Sequence, residues 1–110
     1  MKNEIKWKEE GRDISTKVDY YDYKSESDFY NGITKILDEG IKKYEEKNIP
    51  VEINISHIPS CVLEDLFDLE VTDFNGWQCD WWSDFMYKGQ KIYVMGGAWY
   101  VTATLTIGEG

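Results

Sequence analysis

Between residues 75 and 107 apolar and polar side chains alternate in three successive runs, separated by Asn75-Gly76, Lys88-Gly89 and Gly96-Gly97. Glycine-bearing pairs of this kind supply the positive φ of a tight hairpin, so the runs predict three consecutive antiparallel strands. The first run covers 77–87, with Trp77, Cys79, Trp81 and Phe85 on one face and Gln78, Asp80, Trp82 and Asp84 on the other. The middle strand is the short Lys-Ile-Tyr-Val-Met of 91–95. In the last, Trp99, Val101, Ala103, Leu105 and Ile107 alternate with Tyr100, Thr102, Thr104 and Thr106. A period of two marks one face as core, and a threonine face can remain half wet.

Upstream, residues 1–13 are polar apart from Ile5 and Trp7 and read as an irregular arm or an edge strand. Alternation returns over 14–23, where Ile14, Thr16, Val18 and Tyr20 share one face, which predicts a strand. Ser25-Glu26-Ser27-Asp28 then has the spacing of a capping box. The apolar residues Phe29, Ile33, Ile36, Leu37, Ile41 and Tyr44 follow at intervals that lay one stripe along a helix. That helix should end near Lys47, because Pro50 disfavours helical dihedrals at Ile49. Val51, Ile53 and Ile55 predict another strand, broken by His57-Ile58-Pro59. Ser60 is placed to cap a shorter helix with Leu63, Leu66 and Phe67 inward and Glu64, Asp65 and Asp68 outward. In it, Glu64 and Asp68 are like charges four apart, a spacing that destabilises a helix by roughly 0.2 to 0.5 kcal/mol. Residues 71–74 lead as a further strand into the meander.

The order strand, long helix, strand, short helix, strands predicts a single α+β domain over 1–110. Its architecture would be one twisted, mostly antiparallel sheet with one long and one short helix packed on one face, ending in a C-terminal three-stranded meander. The length and alternation of the last strands would also suit a partly closed barrel. A chain of 110 residues can bury one core without obligatory disulfides or metal. It has no run of about 18 apolar residues, and Met1-Lys2-Asn3-Glu4 is too charged for a secretory signal, so a cytoplasmic location is expected. Cys61 and Cys79 are then expected as thiols or ligands, and as a bridge only if the chain is exported.

Charge changes the picture most. The net charge is −9, and residues 51–110 carry 2 basic against 9 acidic side chains, so −7 of it lies in the second half. Between Lys47 and Lys88 there is no basic residue, only Glu52, Glu64, Asp65, Asp68, Glu70, Asp73, Asp80 and Asp84. Such a surface repels phosphate backbones and anionic lipid, which argues against direct nucleic-acid or membrane binding and for a basic partner protein.

Candidate chemistry is sparse. His57, Cys61 and Cys79, with Asp80 beside the last, are the donors a zinc ion would use, although the spacing matches no zinc pattern and buried cysteines commonly serve as small hydrophobes. No other cofactor is suggested. Cys61 after a helix cap and near His57 has the setting of a thiolate nucleophile, but no orienting group or oxyanion loop is legible. Asp80, Trp82 and Asp84 on one strand face would suit a sugar platform, and more simply form a solvated face. The glycines of 96–97 and 108–110 make no phosphate loop, since no lysine or helix follows.

Aromatic residues make up 15% of the chain, and on any choice of buried face some stay outside: Trp82 with Tyr100, or several of Tyr20, Tyr21 and Tyr23. Exposed aromatics beside an acidic tract are the make-up of a protein interface with a desolvated centre and a charged rim. The residues expected to bind a partner are therefore Glu64, Asp65, Asp68, Asp73, Asp80, Trp82 and Asp84. In size, acidity and lack of catalytic residues the chain resembles the small phage or mobile-element inhibitors of host defence nucleases, the anti-CRISPR and antirestriction proteins. That resemblance is one of class and rests on no motif. It implies a non-enzymatic inhibitor and a nucleic-acid-binding nuclease as partner. At about one charge per 1.7 Å of duplex, a domain about 25 Å across would need about 15 charges to copy DNA, so a net −9 implies cover of a local basic patch only. The alternatives are a small zinc protein or enzyme centred on His57, Cys61 and Cys79, and a carbohydrate-binding module using Trp82 and nearby tyrosines.

Overall fold

A computed structural model describes residues 5–70, 72–75, 80–97 and 102–108, the side chains of 72–75 and 80 excepted. Its strands are β1 (Trp7–Glu10), β2 (Asp13–Asp19), β3 (Val51–Ser56), β4 (Thr72–Asn75), β5 (Asp80–Tyr87), β6 (Gln90–Gly97) and β7 (Thr102–Ile107). The helices are α1 (Glu26–Lys47) and α2 (Ser60–Phe67). The strands form one seven-stranded sheet in the order β1-β2-β3-β7-β6-β5-β4. It is α+β as expected and ends in an antiparallel meander, which β4 joins as a fourth strand. The sheet is mostly antiparallel, as expected, with β2 and β3 as its one parallel pair among the described strands, and it is open, with β1 and β4 as its edges, so the alternative of a partly closed barrel is not realised. Parallel neighbours cannot be joined by a hairpin, and α1 is the crossover that joins them.

One face of the sheet is buried. Ile14, Thr16 and Val18 of β2 lie beside Val51, Ile53 and Ile55 of β3, which lie beside Ile107, Leu105 and Ala103 of β7. Ile92 and Val94 of β6 continue the rows, and all of these are buried. The stripe on α1 packs here through Phe29, Ile33, Ile36 and Leu37, joined by Val62 and Leu63 of α2. Gly40 lets α1 approach closely: a Cβ there would stand 2.7 Å from Ile107 Cδ1. A second aromatic layer, Tyr30, Phe67 and Phe85, ties α1, α2 and β5 together, the last two rings stacked at 4.4 Å.

Local signals act with small shifts. Ser25 caps α1 by accepting from Asp28 N at 3.1 Å, while the Asp28 carboxylate reaches one residue beyond the usual capping-box partner, to Lys24 N. Asn48 in the left-handed region, φ 57°, ends the helix and donates to the Tyr44 carbonyl. At α2 the cap is Pro59, without a side-chain bond, and Ser60 is already helical. Asp68 likewise lies past the end of α2, at φ 54°, so its repulsion with Glu64 is not an intrahelical one. Strand β2 stops at Asp19, whose carboxylate accepts from Tyr21 N and turns the chain into a short 3-10 segment at 20–22.

Of the three glycine pairs, Lys88-Gly89 makes the expected two-residue turn, with φ of 51° and 81°. Gly76 lies outside the described residues. Gly96 and Gly97 do not turn but extend β6, paired with Ala103 and Thr102. The reason is Trp81, whose ring lies over Gly96: a Cβ there would meet Trp81 Cζ2 at 2.6 Å and the Thr102 carbonyl oxygen at 2.7 Å. Replacing Gly96 by Ala therefore forces the ring or the strand to move. The expected result is a loss of about 1 to 3 kcal/mol, typical of an overpacked core, read as a lower denaturation midpoint at unchanged slope.

Candidate functional site

With both helices on one face, the other face of the sheet has no cover among the described elements. Cross-strand register lays out its side chains in rows. One row runs Glu52 (β3), Thr106 (β7), Tyr93 (β6), Asp84 (β5); the next runs Asn54, Thr104, Met95, Trp82. The β7–β3 half is polar, with Thr104 Oγ1 donating to Asn54 Oδ1 at 3.0 Å. The β5–β6 half holds four large apolar side chains, Trp82, Met86, Tyr93 and Met95, 40%, 63%, 36% and 58% exposed, with Asp84 and Lys91 among them. Between the halves lies an open depression of about 470 Å³, walled by Glu52, Trp82, Tyr93, Met95, Thr104 and Thr106. Neither Glu52 nor Asp84 has a salt bridge or side-chain hydrogen bond among the described residues, whereas Lys91 Nζ sits 5.7 Å from the centroid of the Tyr93 ring.

The residues expected to bind a partner are not brought together. Trp82 and Asp84 lie on this open face. Glu64 and Asp65 belong to α2 and Asp68 to its C-cap, in the helix layer behind the sheet. The strands of Asp73 and Asp80 are placed, in β4 and β5, but their side chains lie outside the described residues, as does Tyr100 entirely. A continuous acidic surface over all of these residues is therefore not what the fold builds, because the sheet itself separates two groups of carboxylates. Sequence reading missed Tyr93, Met95 and Met86. Their signal was present, since Tyr93 and Met95 fall opposite Ile92 and Val94 in β6 and so must face outward if those two are core.

The histidine has a partner that spacing alone did not suggest. His57 Nδ1 lies 2.9 Å from Asp19 Oδ1, and its ring stacks on Tyr21 at 4.3 Å. An ionised carboxylate only accepts, so Nδ1 is the ring nitrogen that carries the proton. Parallel pairing sets this up, for Asp19 stands beside Ser56, next to His57. These contacts also hold His57 at φ 60°, a region where few residues other than glycine rest. Cys61 is a free, exposed thiol in the first turn of α2. Cys79, the third proposed zinc donor, lies outside the described residues, and among those described no three His, Cys, Asp or Glu side chains are grouped to hold a metal ion. No helix among them is long and apolar enough to cross a membrane.

Hydrogen bonding by His57, then by Tyr21 N–H, holds the Asp19 carboxyl below its ordinary value of 3.8. A depressed carboxylate contributes stability above the unfolded pKa, and that contribution disappears as pH falls through the folded one. His57→Asn keeps a residue that tolerates positive φ but removes the ring. In that variant the Asp19 carboxyl resonance should titrate at higher pH than in the parent; an unchanged midpoint would mean the pair does not form in solution.

No family model, curated protein or solved structure matches this chain.

Proposed function

We propose that this protein is a non-catalytic binding module that covers a basic surface of a partner protein with the open face of its sheet. The observation that carries the reading is the cluster of Trp82, Met86, Tyr93 and Met95, four large apolar side chains exposed around Asp84 and Lys91 on a face that no described element covers. Single exposed apolar residues are ordinary on a protein surface; a contiguous aromatic and methionine patch rimmed by charge is the composition of an interface centre. Methionines add an adaptable surface. The rim supplies Glu52 and Asp84, and the chain as a whole carries −9, so a cationic surface is its electrostatic complement. A nuclease surface that otherwise holds nucleic acid has that character, and occupying it would inhibit the enzyme without any chemistry by this chain.

In this reading Glu64, Asp65 and Asp68 lie away from the contact and act on solubility and long-range attraction. The two acidic groups can be separated by experiment. With the captured partner in hand, combined Trp82→Ala and Met95→Ala should abolish binding. Charge reversal at Glu64, Asp65 and Asp68 should leave dissociation unchanged and alter the association rate alone. Loss of binding from the α2 reversals, with the open-face variant intact, would place the interface on the helix side and overturn the reading. Shifts of tryptophan fluorescence on adding glycans, lost in Trp82→Ala, would replace it with a carbohydrate-binding role for the same face.

A further inference from the structure

Resting on the protein-binding reading, a more specific inference concerns what enters the depression on the open face. We propose that it seats one arginine side chain of the partner, with the guanidinium between Glu52 and Asp84 and the stem against Trp82, Tyr93 and Met95. Three features carry it. First, Glu52 and Asp84 close the two ends of one cross-strand row, Glu52-Thr106-Tyr93-Asp84, with Tyr93 between them. Successive strands stand about 4.8 Å apart, which puts Glu52 about 10 Å and Asp84 about 5 Å from Tyr93 at the backbone. A cation over the ring thus stands one strand from Asp84, at the border of the depression, and two strands from Glu52, in its wall, so that a long side chain leaning from either strand faces it.

Second, these carboxylates are exposed and have no cationic partner among the described residues, unlike Glu9, which pairs with Lys43 at 2.7 Å, or Asp38, which pairs with Lys88 at 2.9 Å. Third, the Tyr93 ring already attracts the nearest cation of its own chain, Lys91 Nζ, at 5.7 Å. An arginine matches the cleft better than a lysine. Its planar group stacks on aromatic faces and bonds a carboxylate through two parallel N–H groups, and it is less strongly hydrated, so entry strips less water. Thr104 and Thr106 supply hydroxyl acceptors along the polar wall. Lys91 is displaced from the ring as the guest enters.

The probe is N-acetyl-arginine amide, titrated into the full chain and followed by NMR, with N-acetyl-citrulline amide as the uncharged isostere. Saturable shifts at the Trp82 indole, the Met95 methyl and the Glu52 and Asp84 carboxyls are expected with arginine and not with citrulline. Glu52→Gln and Asp84→Asn should each weaken the probe by about two- to fivefold, the scale of a part-exposed ion pair, and Lys91→Ala should strengthen it. Equal shifts with citrulline, shifts confined to the α2 acids, or indifference to both carboxylate variants would overturn the proposal. So would a concentration-dependent dimer, by light scattering, that Trp82→Ala dissolves, since a second copy would then be the occupant. If the partner still needs Trp82 and Met95 while the arginine probe fails, the binding face stands and only its guest is wrong.

Discussion

The division of this molecule into a helix-covered and an open sheet face depends on the parallel pairing of β2 with β3. Because those strands point the same way, α1 must carry the chain back across the sheet before β3 can begin. From β3 to β4 the antiparallel neighbours β7, β6, β5 and β4 reverse direction four times, so β4 again points the same way as β3. The connection through α2 is then a second crossover in the same sheet, moving in the same direction along the strand order. Crossovers of this kind are right-handed in about 98% of cases, and two of one hand progressing the same way must lie on one face. Both helices are spent on that face, and among the described residues there is no third for the other.

What covers the helix side is correspondingly complete. The β-branched rows of β2, β3 and β7 meet a helix whose stripe repeats with helical period, and Gly40 brings the two layers into close contact. The periphery of this contact is held by polar ties. Trp7 Nε1 donates to Glu39 at 3.0 Å, and Lys43 and Lys47 reach Glu9, binding β1 to α1. At the opposite side Tyr87 Oη and Lys88 Nζ both donate to Asp38 Oδ1 at 2.9 Å. Burial, and then the Asp38 hydrogen bond, raise the Tyr87 phenol, so it stays protonated and able to donate throughout the neutral range. Exposed pairs of this sort add little stability individually. Their placement on opposite flanks of α1, Asp38 on one and Glu39, Lys43 and Lys47 on the other, fixes how the helix lies over the sheet.

The elements were legible in sequence where one local force set them. The stripe of α1, its Ser25 start and its stop before Pro50 are all decided within a few residues, and they appear in place. Alternation likewise found β2, β3, β5 and β7. Misreadings arose where a distant residue decided the outcome. Gly96-Gly97 has the composition of a turn, and becomes strand because Trp81, fifteen residues earlier, needs a position without a side chain to lie over. The partner of His57 is Asp19, brought near by strand pairing across thirty-eight residues. The grouping of acids between Lys47 and Lys88 was contiguous in sequence but not in space, since that stretch passes from β3 through the helix layer and back into β5.

The adjacent residues Trp81 and Trp82 face opposite sides of the sheet, the first buried and the second 40% exposed. A strand sends neighbours to opposite sides, so a chain that needs one tryptophan to seal the core above Gly96 is under no obligation to put a second beside it. The outward positions of β5 and β6 hold Trp82, Met86, Tyr93 and Met95 together with Asp84 and Lys91, while those of β7 hold Thr102, Thr104 and Thr106. The division follows strand boundaries, with Asp84 on the aromatic half and Glu52 across β7 from it. The packing of α1 and α2 accounts for the buried rows, and the outward rows of β5 and β6 are where the proposed partner contact would fall.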